Sequence, residues 1–124
     1  AKEANDDGDY FPMHFTCLGY ELLIGAITDD LSILKHTQAE GVANSLKMNW
    51  KEVAHSRMFA DQVLTNGTAV AHLLEGKEPL TMNYHSWGLY LEDFLNNAKL
   101  QRELRLLSTS VDEAGVEYVS TVEG

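Results

Sequence analysis

The sequence predicts an α/β domain: a sheet carrying packed helices, with an antiparallel extension towards its C-terminal end. Apolar stretches of strand length and of helical period alternate through the first half. Further on, residues 106–111 and 116–122 are two strand-like runs separated by Asp112, Glu113, Ala114 and Gly115, the composition of a hairpin turn. Hydrophobic residues make up 44% of the 124, enough for one small domain with its own core.

Residues 1–9 are polar and acidic (Asn5, Asp6, Asp7, Gly8, Asp9) and predict a loop. Residues 10–16 form an aromatic and apolar run expected to be a buried strand, in which Pro12 withholds one backbone donor. From 17 to 27, Leu18, Leu22, Gly25 and Ala26 recur at helical spacing, and Leu23, Ile24 and Ile27 add a second stripe. This predicts a largely buried helix, ended by Thr28, Asp29 and Asp30. Short strands are expected at 31–35 and 45–48, around the loop containing Gly41. Helices are expected at 58–64, stopped at Asn66 and Gly67, and at 68–74, with Gly76 just past the C-terminus. Pro79 opens a strand at 80–84, and residues 93–104 hold a helical stretch.

With 19 acidic and 9 basic residues the formal charge is −10. Phosphate backbones are bound through Lys and Arg, so neither nucleic acid nor an anionic lipid surface is an expected partner. The densest basic group, Lys99, Arg102 and Arg105, has the spacing of a solvated helix face. No apolar run approaches the ~20 residues needed to span a membrane. No leader resembling a signal peptide stands at the start, and the first residue is Ala1, which predicts a processed or partial product. The five histidines lack metal-ligand spacing and there is no Cys pair, so neither a metal nor a cofactor is expected. Asn66, Gly67 and Thr68 form an N-glycosylation triplet.

Cys17 is the one cysteine. A lone Cys is either a small buried apolar residue or, in the right surroundings, a nucleophile. Here it stands between the expected strand and the expected helix. On such a turn the helix N-terminus favours thiolate over thiol. Its free amides, beginning at Leu18, can receive an oxyanion. Gly19 would let the turn be tight and the helix pack close, as in nucleophile elbows.

Residues Asp6, Asp7, Gly8, Asp9, Tyr10, Phe11 and Pro12, followed by Thr16, Cys17, Leu18, Gly19, Tyr20 and Glu21, closely resemble the γ-glutamyl hydrolase family. The resemblance continues at His55–Phe59, at Glu78–Thr81, at Asn83–Trp87 and at Ser120–Gly124, in the family's order. It implies the central part of a class I glutamine-amidotransferase-like three-layer sandwich with a mixed sheet, residues 1–124 being a partial domain. The implied activity is cleavage of γ-glutamyl bonds in folate poly-γ-glutamates through a cysteine thiolate and an acyl-enzyme. It also implies a secreted, lysosomal or vacuolar location. Cys17 matches the nucleophile, Glu21 the acidic position of the motif, and His85 the family's active-site histidine. Glu21 has a second reading as a favourable charge at a helix N-terminus, and His85 as an ordinary loop histidine.

The sequence departs from the family at Phe15, where the pattern has glycine; a ring there is expected to distort the elbow or block the pocket. The family's general-base histidine motif and its glycine-rich oxyanion loop have no counterpart in residues 1–124. This chain alone is therefore expected to be inactive, requiring the rest of the domain or a protein partner. A non-catalytic binding or structural subunit is the alternative.

Overall fold

The computed structural model describes residues 2–60 and 66–124. It is α/β, and every strand pairing among the described residues is antiparallel. The chain opens with α1 (Lys2–Asp6) and α2 (Leu18–Thr28), then a 3₁₀ turn (Leu31–Ile33) leads into β1 (Leu34–His36). Next come β2 (Val42–Asn44), β3 (Lys47–Met48), α3 (Trp50–Val53) and α4 (Gly67–Glu75). The second half holds β4 (Thr81–Asn83), β5 (Trp87–Leu89), α5 (Leu91–Leu95), α6 (Ala98–Glu103), β6 (Arg105–Val111) and β7 (Glu117–Glu123). Strand β1 pairs with β5, β2 with β4, and β6 lies between β3 and β7.

The C-terminal hairpin is as the sequence predicts. Its turn is held by Asp112, whose carboxylate accepts from the amides of Ala114 (3.0 Å) and Val116 (2.8 Å) and, across the fold, from Gln38 (2.8 Å). Gly115 has φ 83°, a conformation that favours glycine. Helix α4 and strand β4 also stand where expected, and Gly76 follows α4, although with φ −58° it needs no left-handed conformation there.

Several expectations are corrected. Residues 2–6 form a helix rather than a loop. Residues 10–16 form no strand and are not buried: Tyr10 is 79% exposed and Phe11 56%. A strand needs a neighbour for its amides and carbonyls, and no described segment pairs with this one. Instead the Asn5 carboxamide pairs with Phe11, donating to its carbonyl (2.7 Å) and accepting from its amide (2.8 Å). Helix α2 buries one face, not most of its surface. Ile24 and Thr28 are buried, whereas Leu18 and Leu22, one turn apart, are 62% and 58% exposed.

Residues 31–33 form a turn, and strand begins only at Leu34. In the 45–48 segment, only Lys47–Met48 is strand. The stretch 93–104 is two helices, because the Asn97 side chain accepts from the Leu100 amide (3.0 Å) and starts α6 afresh. The expected helix at 58–64 is not helical at 58–60, and its remainder lies outside the described residues.

Two cores result. Ile24, Leu34, Leu89, Phe94, Leu100, Leu104 and Val119 knit α2 to α5, α6 and the hairpin. Leu46, Met48, Val53, Phe59, Ala71 and Leu107 form the second, beneath α4. The basic residues serve this framework. Lys99 Nζ donates to the Thr28 carbonyl at the end of α2 (3.1 Å) and to Asp29 (2.9 Å). Arg105 donates to the His55 carbonyl (2.8 Å) and lies 3.3 Å from Glu52. Arg102 pairs with Glu103.

Candidate active site

Cys17 sits immediately before the first turn of α2 with φ 52° and ψ −125°, exposed to solvent. A non-glycine residue in such a conformation stores about 1–3 kcal/mol of strain, and such strain gathers at active sites. Two backbone hydrogen bonds clamp the turn. The Gly19 amide donates to the Thr16 carbonyl (2.9 Å), and the Glu21 amide to the Cys17 carbonyl (3.2 Å). The Leu18 amide has no acceptor among the described residues, so it is available to an incoming oxygen. The sharp turn therefore forms with Phe15 present. That ring is 39% exposed. Among the described residues, a Cβ on Gly19 would meet nothing within 4 Å.

Glu21 is half-buried in the first turn of α2. Tyr20, between it and Gly19, packs against the first core with its hydroxyl buried and unpartnered among the described residues. Burial pushes this phenol above its usual range. An unpartnered buried hydroxyl costs about 1–3 kcal/mol. Tyr20→Phe is therefore expected to raise stability by about 1 kcal/mol, seen as a higher urea midpoint.

His85 lies in the turn between β4 and β5. Its Nδ1 is 2.9 Å from the Trp87 carbonyl and 3.4 Å from Thr37 Oγ1, and its Nε2 is 3.3 Å from Asn83 Oδ1. The Asn83 amide group donates to the carbonyls of Val42 (3.0 Å) and Thr81 (3.2 Å), which fixes its oxygen towards the histidine. The ring also stands edge-on to Tyr118 (5.4 Å between centroids). Both ring nitrogens thus face acceptors within the fold, and no hydrogen bond joins His85 to Cys17 among the described residues. The structure brings Cys17, Leu18, Gly19 and Glu21 together on one turn and leaves His85 engaged elsewhere.

Glu123, which the sequence pattern does not single out, joins two of the matching motif blocks. Its carboxylate accepts from Ser56 Oγ (2.5 Å) and from the amides of Arg57 (2.9 Å) and Met58 (2.9 Å). Asn83 is not singled out by the pattern either; the signal for both is their place in the blocks Asn83–Trp87 and Ser120–Gly124. Asn66 is exposed at the start of α4. Among the described residues, no group of three or more His, Cys, Asp or Glu is placed to hold a metal ion, and no helix is long and apolar enough to cross a membrane.

No family model matches the chain. It is 39% identical over 119 residues to a γ-glutamyl hydrolase of Homo sapiens, covering 96% of this chain and 35% of the relative. To γ-glutamyl hydrolase 2 of Arabidopsis thaliana it is 32% identical over 127 residues (98% and 33%). To γ-glutamyl hydrolase B of Dictyostelium discoideum it is 31% identical over 121 residues (98% and 33%). The chain is similar to γ-glutamyl hydrolases along nearly all of its own length and along about a third of theirs.

Proposed function

We propose that these residues form the nucleophile-bearing part of a cysteine hydrolase that cleaves γ-glutamyl bonds of folate poly-γ-glutamates. The observation that carries the reading is the strained elbow at Cys17 in a chain so related to γ-glutamyl hydrolases. The Cys17 thiolate attacks the carbonyl carbon of the γ-amide, and the developing oxyanion meets the Leu18 amide. Collapse expels the amine of the following glutamate, leaving a thioester on Cys17 that water hydrolyses.

The leaving amine and the attacking water each need a proton relay. His85, with Nδ1 2.9 Å from the Trp87 carbonyl and Nε2 3.3 Å from Asn83 Oδ1, serves to position the β4–β5 turn. The relay then comes from a histidine outside these 124 residues. Glu21 supports the elbow from the first turn of α2.

We read the exposed apolar side chains of Tyr10, Phe11, Met13, Phe15, Leu18 and Leu22 as the face on which the rest of an amidotransferase-like sandwich packs. A secreted, lysosomal or vacuolar location accords with this reading.

The test uses a polypeptide carrying these residues within the full length of the relatives, given folate oligo-glutamates in γ-linked and α-linked form. Release of glutamate from the γ-linked substrate alone is expected, and none from residues 1–124 in isolation. Equal cleavage of both linkages, or none of the γ-linked one, would overturn the reading.

A further inference from the structure

We propose that Asn66 is an acceptor for an N-linked glycan, which then overhangs the groove beside α4. The triplet Asn66, Gly67, Thr68 supplies the acceptor amide and the hydroxyl two residues on. The fold turns that triplet outwards. Asn66 holds φ 62° and ψ 47° at the position where an Asn side chain ordinarily caps a helix, yet its carboxamide makes no cap hydrogen bond and lies in solvent.

Gly67 points the other way. It is buried, and a Cβ on it would overlap the Phe59 carbonyl oxygen. The middle residue of the triplet therefore anchors it to the second core, while the acceptor residue projects away. Thr68, one residue on, lines a groove of about 330 Å³ together with Trp50, Val53, Phe59 and Ala60. Beyond it, Val70 and Leu73 expose apolar surface along α4. A sugar chain on Asn66 would cover apolar surface that is otherwise left to water.

In the transfer, Asn66 Nδ2 forms a bond to the anomeric carbon of an oligosaccharide carried on a lipid diphosphate. The bond between that carbon and the diphosphate oxygen breaks, and the amide proton leaves as the lipid diphosphate departs. The modification requires passage through a secretory route, so it rests on the location proposed above and not on the hydrolase chemistry.

The experiment expresses the full-length protein in eukaryotic cells behind a secretion signal and maps its peptides. Samples are treated in heavy-oxygen water with peptide-N-glycosidase and, in parallel, without it; label that appears only with the enzyme separates enzymatic release from spontaneous deamidation of the Asn66–Gly67 pair. The expected result is heavy-oxygen aspartate at position 66, lost in Thr68→Ala and kept in Thr68→Ser. A secreted protein whose peptide 66 is unmodified, or carries only light-oxygen aspartate, would overturn the proposal. Glutamate release is assayed in the same preparations, so failure of the glycan site and failure of the hydrolase reading are read separately.

Discussion

In the full-length protein of the proposed hydrolase, Cys17→Ala is expected to abolish release of γ-linked glutamate, a fall of about 10³-fold or more in kcat, as when a covalent nucleophile is removed. Cys17→Ser is expected to fall nearly as far, because a hydroxyl at the same place is a far weaker nucleophile without a base arranged for it. Loss of activity alone would not separate chemistry from misfolding, and the geometry of the elbow supplies the control. At φ 52° and ψ −125° a side chain at position 17 is strained, and glycine is not. Cys17→Gly should therefore be inactive and yet more stable, by about 1 kcal/mol. Paired measurements of glutamate release and urea midpoint on the three variants test this. Activity surviving in Cys17→Ala would remove Cys17 as the nucleophile, and a less stable Cys17→Gly would show that the turn is not strained.

The elbow was legible in the sequence because everything that makes it is local. A cysteine, a glycine two residues on and an apolar helical run lie within one short segment, and the structure puts Cys17 at the head of α2. The hairpin was legible for the same reason: Asp112 and Gly115 close a turn between two runs that pair with each other. Residues 10–16 show the opposite case. Their composition is that of a buried strand, but strand formation depends on a neighbour contributed from elsewhere, and no described segment is placed beside them.

Strand β5 and helix α3 went unseen because three or four residues are too few to display a period. The surroundings of His85 were hidden by distance along the chain. One of its partners, Thr37, lies 48 residues away, and the ring of Tyr118 belongs to β7. Motif resemblance marks His85 as notable without revealing that both its nitrogens face protein oxygens.

Distance along the chain also hid Glu123, where the largest effect on stability is expected. This carboxylate at the end of β7 holds residues 56–58 through Ser56 Oγ, the Arg57 amide and the Met58 amide, with Arg105 nearby at 4.0 Å. Burial alone would push Glu123 up. The hydrogen bonds from Ser56, Met58 and Arg57 and the charge of Arg105 outweigh it and hold the carboxyl below its usual range.

Glu123→Ala removes the acceptors while Ser56 stays buried, and should cost about 2–4 kcal/mol at neutral pH. Glu123→Gln fares little better. Both carboxylate oxygens accept from N–H donors, so whichever one becomes an amide group faces a donor.

The pH dependence follows in sign. A carboxyl held lower in the folded state stabilises the fold above its unfolded pKa, and that contribution disappears as pH falls through the folded value. The gap in urea midpoint between the native protein and Glu123→Gln should therefore be widest at neutral pH and close in acid. Asp112 and Glu117 are also held low, so the variant still loses stability on acidification, only less steeply. A gap that stays constant from neutral to acidic pH would mean that the charge of Glu123 contributes nothing and that packing alone joins β7 to residues 56–58.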